Sequence, residues 1–144
     1  MEKNVHLDLG YWVQKKIKQL GASQSALGIR QSRSVSVDYR DGKVETLKES
    51  TQQSLWIELF AGGRYSSHST NDLRKDSLEK FLTNAVDLTG FLTKDEFRRL
   101  ADPELYEGQS KVDLDLNDSG QADITAEQRQ ERAKQLGAYL EGKD

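Results

Sequence analysis

The sequence predicts an α+β fold, an antiparallel β-meander of four to five strands with helices packed on it. Three observations carry this. Two-residue alternation marks the strands of a run from Arg33 to Ser69, cleanest from Arg33 to Tyr39 and returning from Leu55 to Phe60. That run is punctuated by the turn dipeptides Asp41-Gly42 and Gly62-Gly63. It is flanked on both sides by segments whose apolar residues recur at helical spacing.

The first of these flanking segments covers residues 8 to 20. Leu9, Trp12, Val13, Ile17 and Leu20 form one stripe, and Gln14, Lys15, Lys16, Lys18 and Gln19 form the other face. Gly21 stands where a helix end needs a left-handed residue. Ser23 to Ser32 follows as a first strand, with Leu27 and Ile29 alternating with polar neighbours. From Arg33 the alternation is cleaner, with Val35, Val37 and Tyr39 against Ser34, Ser36 and Asp38. The return strand then runs from Lys43 to about Ser50.

A second hairpin is expected from Leu55 to Ser69. Leu55, Ile57 and Leu59 alternate with Trp56, Glu58 and Phe60, so this strand has apolar area on both faces. Gly62-Gly63 turns it into Arg64 to Ser69. After Asn71-Asp72 the period becomes helical, with Leu78, Phe81, Leu82, Ala85, Val86 and Leu92 on one stripe. Thr93 to Glu96 has the pattern of a capping box and predicts a short helix to about Leu100, ended by Asp102-Pro103. Gln109 to Asp123 is polar and irregular. Thr125 to Gln128 is a second capping box, opening a last helix with Ala133, Leu136, Tyr139 and Leu140 on one side and an end near Glu141-Gly142.

Composition restricts function as well as fold. At 144 residues the default is a single domain, 1–144. No cysteine is present, which removes disulfides, thiolate nucleophiles and thiolate metal sites together. Net charge is -3 with both signs interspersed, unlike the concentrated basic field that direct nucleic-acid binding needs. No apolar run reaches the roughly 18 residues of a membrane span, and the N-terminus lacks the apolar centre of a signal peptide. A cytoplasmic location without membrane contact is expected.

Five constellations invite chemistry. His6 and His68 are the two imidazoles, too few for zinc, which takes three or four protein ligands. Asp115, Asn117 and Ser119 before Gly120 fit the start of a calcium loop, but its twelfth position is Ala126 rather than a bidentate glutamate. Ser66, Ser67, His68, Ser69 and Thr70 hold hydroxyls beside a histidine, and strand alternation leaves His68 facing only Ser66 and Thr70. Lys15, Lys16, Lys18, Arg30, Arg33, Arg40 and Lys43 would make a phosphate patch if they converged, although Glu45, Glu49 and Glu58 lie among them. Trp56, Phe60 and Tyr65 are either core residues or anchors for a protein partner. None supplies a catalytic, cofactor-binding or metal site on sequence grounds.

Several phrases, in this order, resemble one known family. They are SVSVDYRDGKVETL from Ser34, the hairpin around Gly62-Gly63-Arg64-Tyr65, STNDL from Ser69, ADPELYEG from Ala101, DLDL from Asp113 and ITAEQRQERA from Ile124. The chain is similar, over roughly residues 8 to 141, to the N-terminal domain of the TldD/PmbA metallopeptidases, a family that also carries a gyrase-modulator label. One departure is Arg74-Lys75-Asp76, where family members often open the next helix with a serine and a proline, so the cap must come from elsewhere.

The resemblance implies a zinc peptidase of peptides or unfolded chains, assembled as a homodimer or a heterodimer. Its catalytic residues would lie in a C-terminal part absent from this sequence. No family site residue transfers to these positions, and this chain alone is not expected to be catalytic. The partners implied are the family's own C-terminal domain, a second family subunit and a peptide substrate. The rival expectation is a stand-alone protein-binding or adaptor module.

Overall fold

Hydrophobic alternation and positive-φ turns build a three-stranded antiparallel sheet whose strands lie side by side in chain order. The computed structural model describes residues 2–116 and 118–140. Its strands are β1, Gln24–Arg40, β2, Lys43–Ala61, and β3, Arg64–Thr70. Its helices are α1, Glu2–Gln19, α2, Lys75–Thr89, and α3, Ala126–Leu140. The four to five expected strands are thus three long ones. No glycine, proline or turn dipeptide separates Ser32 from Arg33 or Ser50 from Leu55, so the ladder continues through both polar runs. In β2 the residues from Leu47 to Gln53 stay extended although they are exposed on both faces.

Both turns follow their residue chemistry. Asp41 and Gly42 have φ of 49° and 76°, and Gly62 and Gly63 have 57° and 74°, the paired left-handed conformation of the tight hairpin that matches strand twist. Gly21, with φ of 103°, ends α1 as expected. That helix starts at Glu2, ahead of the expected residue 8.

The chain divides into two compact units, Met1–Ser32 with Gln52–Glu107, and Arg33–Thr51 with Gly108–Asp144. The core of the first unites Val13 and Ile17 of α1, Leu55, Ile57 and Leu59 of β2, and Leu78, Leu82 and Ala85 of α2. The register pairs Leu59 with Ser66, Ile57 with His68 and Leu55 with Thr70, which puts the polar side of β3 on the helix-covered face. Trp56, Glu58 and Phe60 lie on the other face, opposite Ser69, Ser67 and Tyr65.

The cap expected from elsewhere is not found, since no side chain caps α2 at its N-cap residue Arg74, whose own N–H and guanidinium are held by Asp72. Asp72 accepts the Arg74 backbone N–H at 3.1 Å and grips the Arg74 guanidinium at 2.8 and 2.5 Å. The short helix expected from Thr93 to Leu100 does not form. Asp95 spends its carboxylate on the Phe97 N–H at 3.1 Å, and Phe97, the residue that would anchor such a helix, is 94% exposed. Leu92 likewise lies beyond α2 and outside the core. Pro103 opens a 3₁₀ turn, Pro103–Tyr106, rather than following a helix.

In the second unit the capping box is realised. Gln128 Oε1 accepts the Thr125 N–H at 3.0 Å, and Thr125 Oγ1 accepts the Gln128 N–H at 3.2 Å. The packed face of α3 differs from the expected one. Leu136, Tyr139 and Leu140 are exposed, whereas Ala133 and Gly137 are half-buried. A Cβ on Gly137 would lie 2.4 Å from Cε1 of Tyr39, so the helix packs through its small residues. The expected end near Glu141-Gly142 falls outside the described residues.

Candidate functional site

Ser66 and His68 come together on the helix-covered face of β3, where His68 Nε2 lies 2.9 Å from Ser66 Oγ, and Ser66 Oγ 2.5 Å from Thr89 Oγ1 of α2. The Thr89 hydroxyl donates to the Ala85 carbonyl at 2.7 Å. With that proton committed, Ser66 donates to Thr89, and the Ser66 oxygen accepts from His68 Nε2–H. Protons therefore run from the imidazole toward the serine, the reverse of what activating a nucleophile requires. Ser66 and Thr89 are buried, and burial pushes the His68 pKa down. The network joins β3 to α2. Ser67 and Ser69 point to the opposite face.

His6, on α1, is engaged 2.9 Å from Gln31 Oε1. Among the described residues no group of three or more histidine, aspartate or glutamate side chains is placed to hold a metal ion. In the acidic loop, Asp113 accepts the Asp115 N–H and Asp118 accepts the Gly120 N–H, each at 2.9 Å, so both carboxylates serve local turns. Asn117 and the Ser119 side chain lie outside the described residues.

The basic residues are partly spent on neighbours. Lys16 pairs with Glu79 at 2.9 Å, Arg33 with Glu49 at 2.6 Å and Arg40 with Asp41 at 3.7 Å. Of the three aromatics on the outer sheet face, Phe60 is buried against Tyr65, with ring centroids 5.1 Å apart. The Tyr65 hydroxyl donates to Glu58 Oε1 at 2.9 Å, which raises the Tyr65 pKa, and Arg98 stacks 4.3 Å from its ring. Only Trp56, 44% exposed, offers substantial free aromatic surface there.

One concave region beside α1 was not marked by any sequence motif. Two adjoining clefts, of 520 and 510 Å³, lie between α1 and the start of β1 and share Tyr11, Gln14 and Ser25. A Cβ on Gly10 would meet Leu27 Cδ1 at 3.5 Å, an ordinary packing distance between the helix and the strand.

Comparison with known proteins agrees with this architecture. The family described as PmbA/TldA metallopeptidase domain 1 matches residues 15–89. A protein from Bacteroides thetaiotaomicron, titled a "putative modulator of DNA gyrase", is 33% identical with a TM-score of 0.90. The match covers 100% of this chain and 32% of that one. TldE from Thermococcus kodakarensis shares the fold, with a TM-score of 0.64 at 12% identity over 94% of this chain and 30% of its own. Among curated proteins, none matches the sequence. The chain therefore spans about a third of the length of these structural relatives.

Proposed function

Because the chain belongs to the PmbA/TldD metallopeptidase family, we propose that it serves as the non-catalytic first domain of a zinc peptidase acting on peptides or unfolded chains. In this reading the chain contributes to subunit assembly, as a homodimer or heterodimer, and to the wall of the chamber that admits substrate. The zinc ligands belong to the family's later part. The carrying observation is that the family match and the full-length fit to the Bacteroides structure account for all of this chain but only 32% of that relative. The backward-running proton order at His68 and Ser66 supports a structural role for the nearest thing to a catalytic pair. A cytoplasmic setting belongs to the same proposal. Among the described residues no helix is long and apolar enough to cross a membrane.

The test is to purify the chain, measure bound zinc by mass spectrometry, and assay cleavage of unfolded casein with and without added zinc. The expected result is neither stoichiometric metal nor cleavage. Zinc-dependent cleavage by the chain alone would overturn the reading. The cleft beside β1 favours a second reading, a protein-binding module, in which capture of an extended segment is the whole activity.

A further inference from the structure

β1 is an outermost strand in the order β1-β2-β3, so one row of its N–H and C=O groups faces away from the sheet. The groove formed by the two clefts runs along that edge under α1. One end is apolar, with Leu27 and Ile29, and the other carries Lys15 and Lys18. Among the described residues no carboxylate lines either cleft. Among the described residues neither lysine has an acidic partner, whereas Lys16 between them is neutralised by Glu79. A half-apolar groove with uncompensated positive charge at one end, next to an open strand edge, has the complementarity of one kind of occupant.

We propose that this groove binds an extended, acidic peptide by strand addition to β1 between Ser25 and Ile29. The peptide backbone completes the ladder over about five residues, or ~17 Å of extended chain. Alternate apolar side chains enter the groove against Leu27 and Ile29, and a carboxylate meets Lys15 and Lys18. The inference rests on the peptide-handling reading above and adds the conformation and charge of the peptide. Two lysines are too few for a nucleic-acid backbone, whose affinity comes from many phosphate contacts.

The experiment titrates the chain into a fluorescein-labelled peptide of alternating valine and glutamate, read by fluorescence anisotropy, with amide hydrogen exchange by NMR. Saturable binding is expected, with new protection confined to the amides of Ser25 to Ile29. The exposed pair Lys15→Glu with Lys18→Glu should weaken binding about tenfold or more, as should lysine in place of glutamate in the peptide. N-methylating alternate residues of the peptide should abolish binding in one register and spare it in the other, since only one row of its amides faces β1.

No saturation at millimolar concentration, protection elsewhere, or indifference to charge reversal would overturn the proposal. So would a concentration-dependent dimer with β1 already protected, because that would give the groove to a second copy. Zinc-dependent cleavage, by contrast, would overturn only the non-catalytic reading, so the two failures are distinguishable.

Discussion

The indole of Trp56 lies across the backbone of Gly28, so closely that a Cβ at position 28 would stand 2.4 Å from Nε1. Only glycine admits this contact, which covers part of the outer sheet face without a helix. Gly28→Ala should therefore force the half-exposed indole aside, at a cost of about 1–2 kcal/mol. Most of that loss should disappear when Trp56→Ala is added, because the clash needs both partners. Urea unfolding of the two single variants and the double variant measures the coupling; additive losses would show that the two residues act independently.

Thr89 holds the only hydroxyl that receives the Ser66 proton in the buried network. Thr89→Val keeps the shape but leaves the serine donor without that acceptor, and should destabilise by about 1–3 kcal/mol. Adding Ser66→Ala should recover part of the loss, a sign opposite to that of two independent core defects. Thermal or urea unfolding reads both.

His68 gives stability a pH dependence whose direction is fixed by its depressed pKa. The unfolded imidazole, with a pKa near 6.5, binds its proton before the folded one does. Stability from this residue is thus complete above about pH 6.5 and falls as pH drops toward the lower folded value. His68→Gln can still donate to Ser66 and does not titrate. Its unfolding free energy should vary less than that of the parent between pH 7 and pH 5, as followed by urea denaturation; equal slopes would assign the dependence to other groups.

Asp72 acts in the opposite sense. The Arg74 guanidinium and backbone amide, with Ser77, hold its carboxyl well below the usual carboxylate range. Its contribution is present above a pH of about 4 and disappears as acid protonates the folded carboxylate. Asp72→Ala should lower Tm at pH 7 and make little difference in strong acid. A Tm loss independent of pH would mean that the charge is irrelevant to holding Arg74 at the start of α2.

Legibility tracked how far a feature depends on residues near it in sequence. Asp41-Gly42 and Gly62-Gly63 were readable because few residues tolerate positive φ in succession, and Thr125 with Gln128 because the box closes on itself. The matching pattern at Thr93 failed because Asp95 found a nearer amide and nothing buries Phe97. Strand number was overcounted because the alternation changes at Arg33 and lapses between Ser50 and Leu55, whereas the backbone stays extended through both. On α3 the largest apolar residues drew attention, while packing runs through Gly137 against Tyr39. Of the groove, Lys15 and Lys18 are legible as charge, but their conjunction with the β1 edge exists only after folding.

The two tight turns have a consequence for the order of events during folding. Strands joined by so few residues pair at small sequence separation, and hairpins of this kind close in about 1–10 μs. The docking of α1 on α2 instead joins Lys16 to Glu79, across 63 positions. The sheet should therefore take shape early, and the arrival of α1, which completes both the core and the groove, should set the pace.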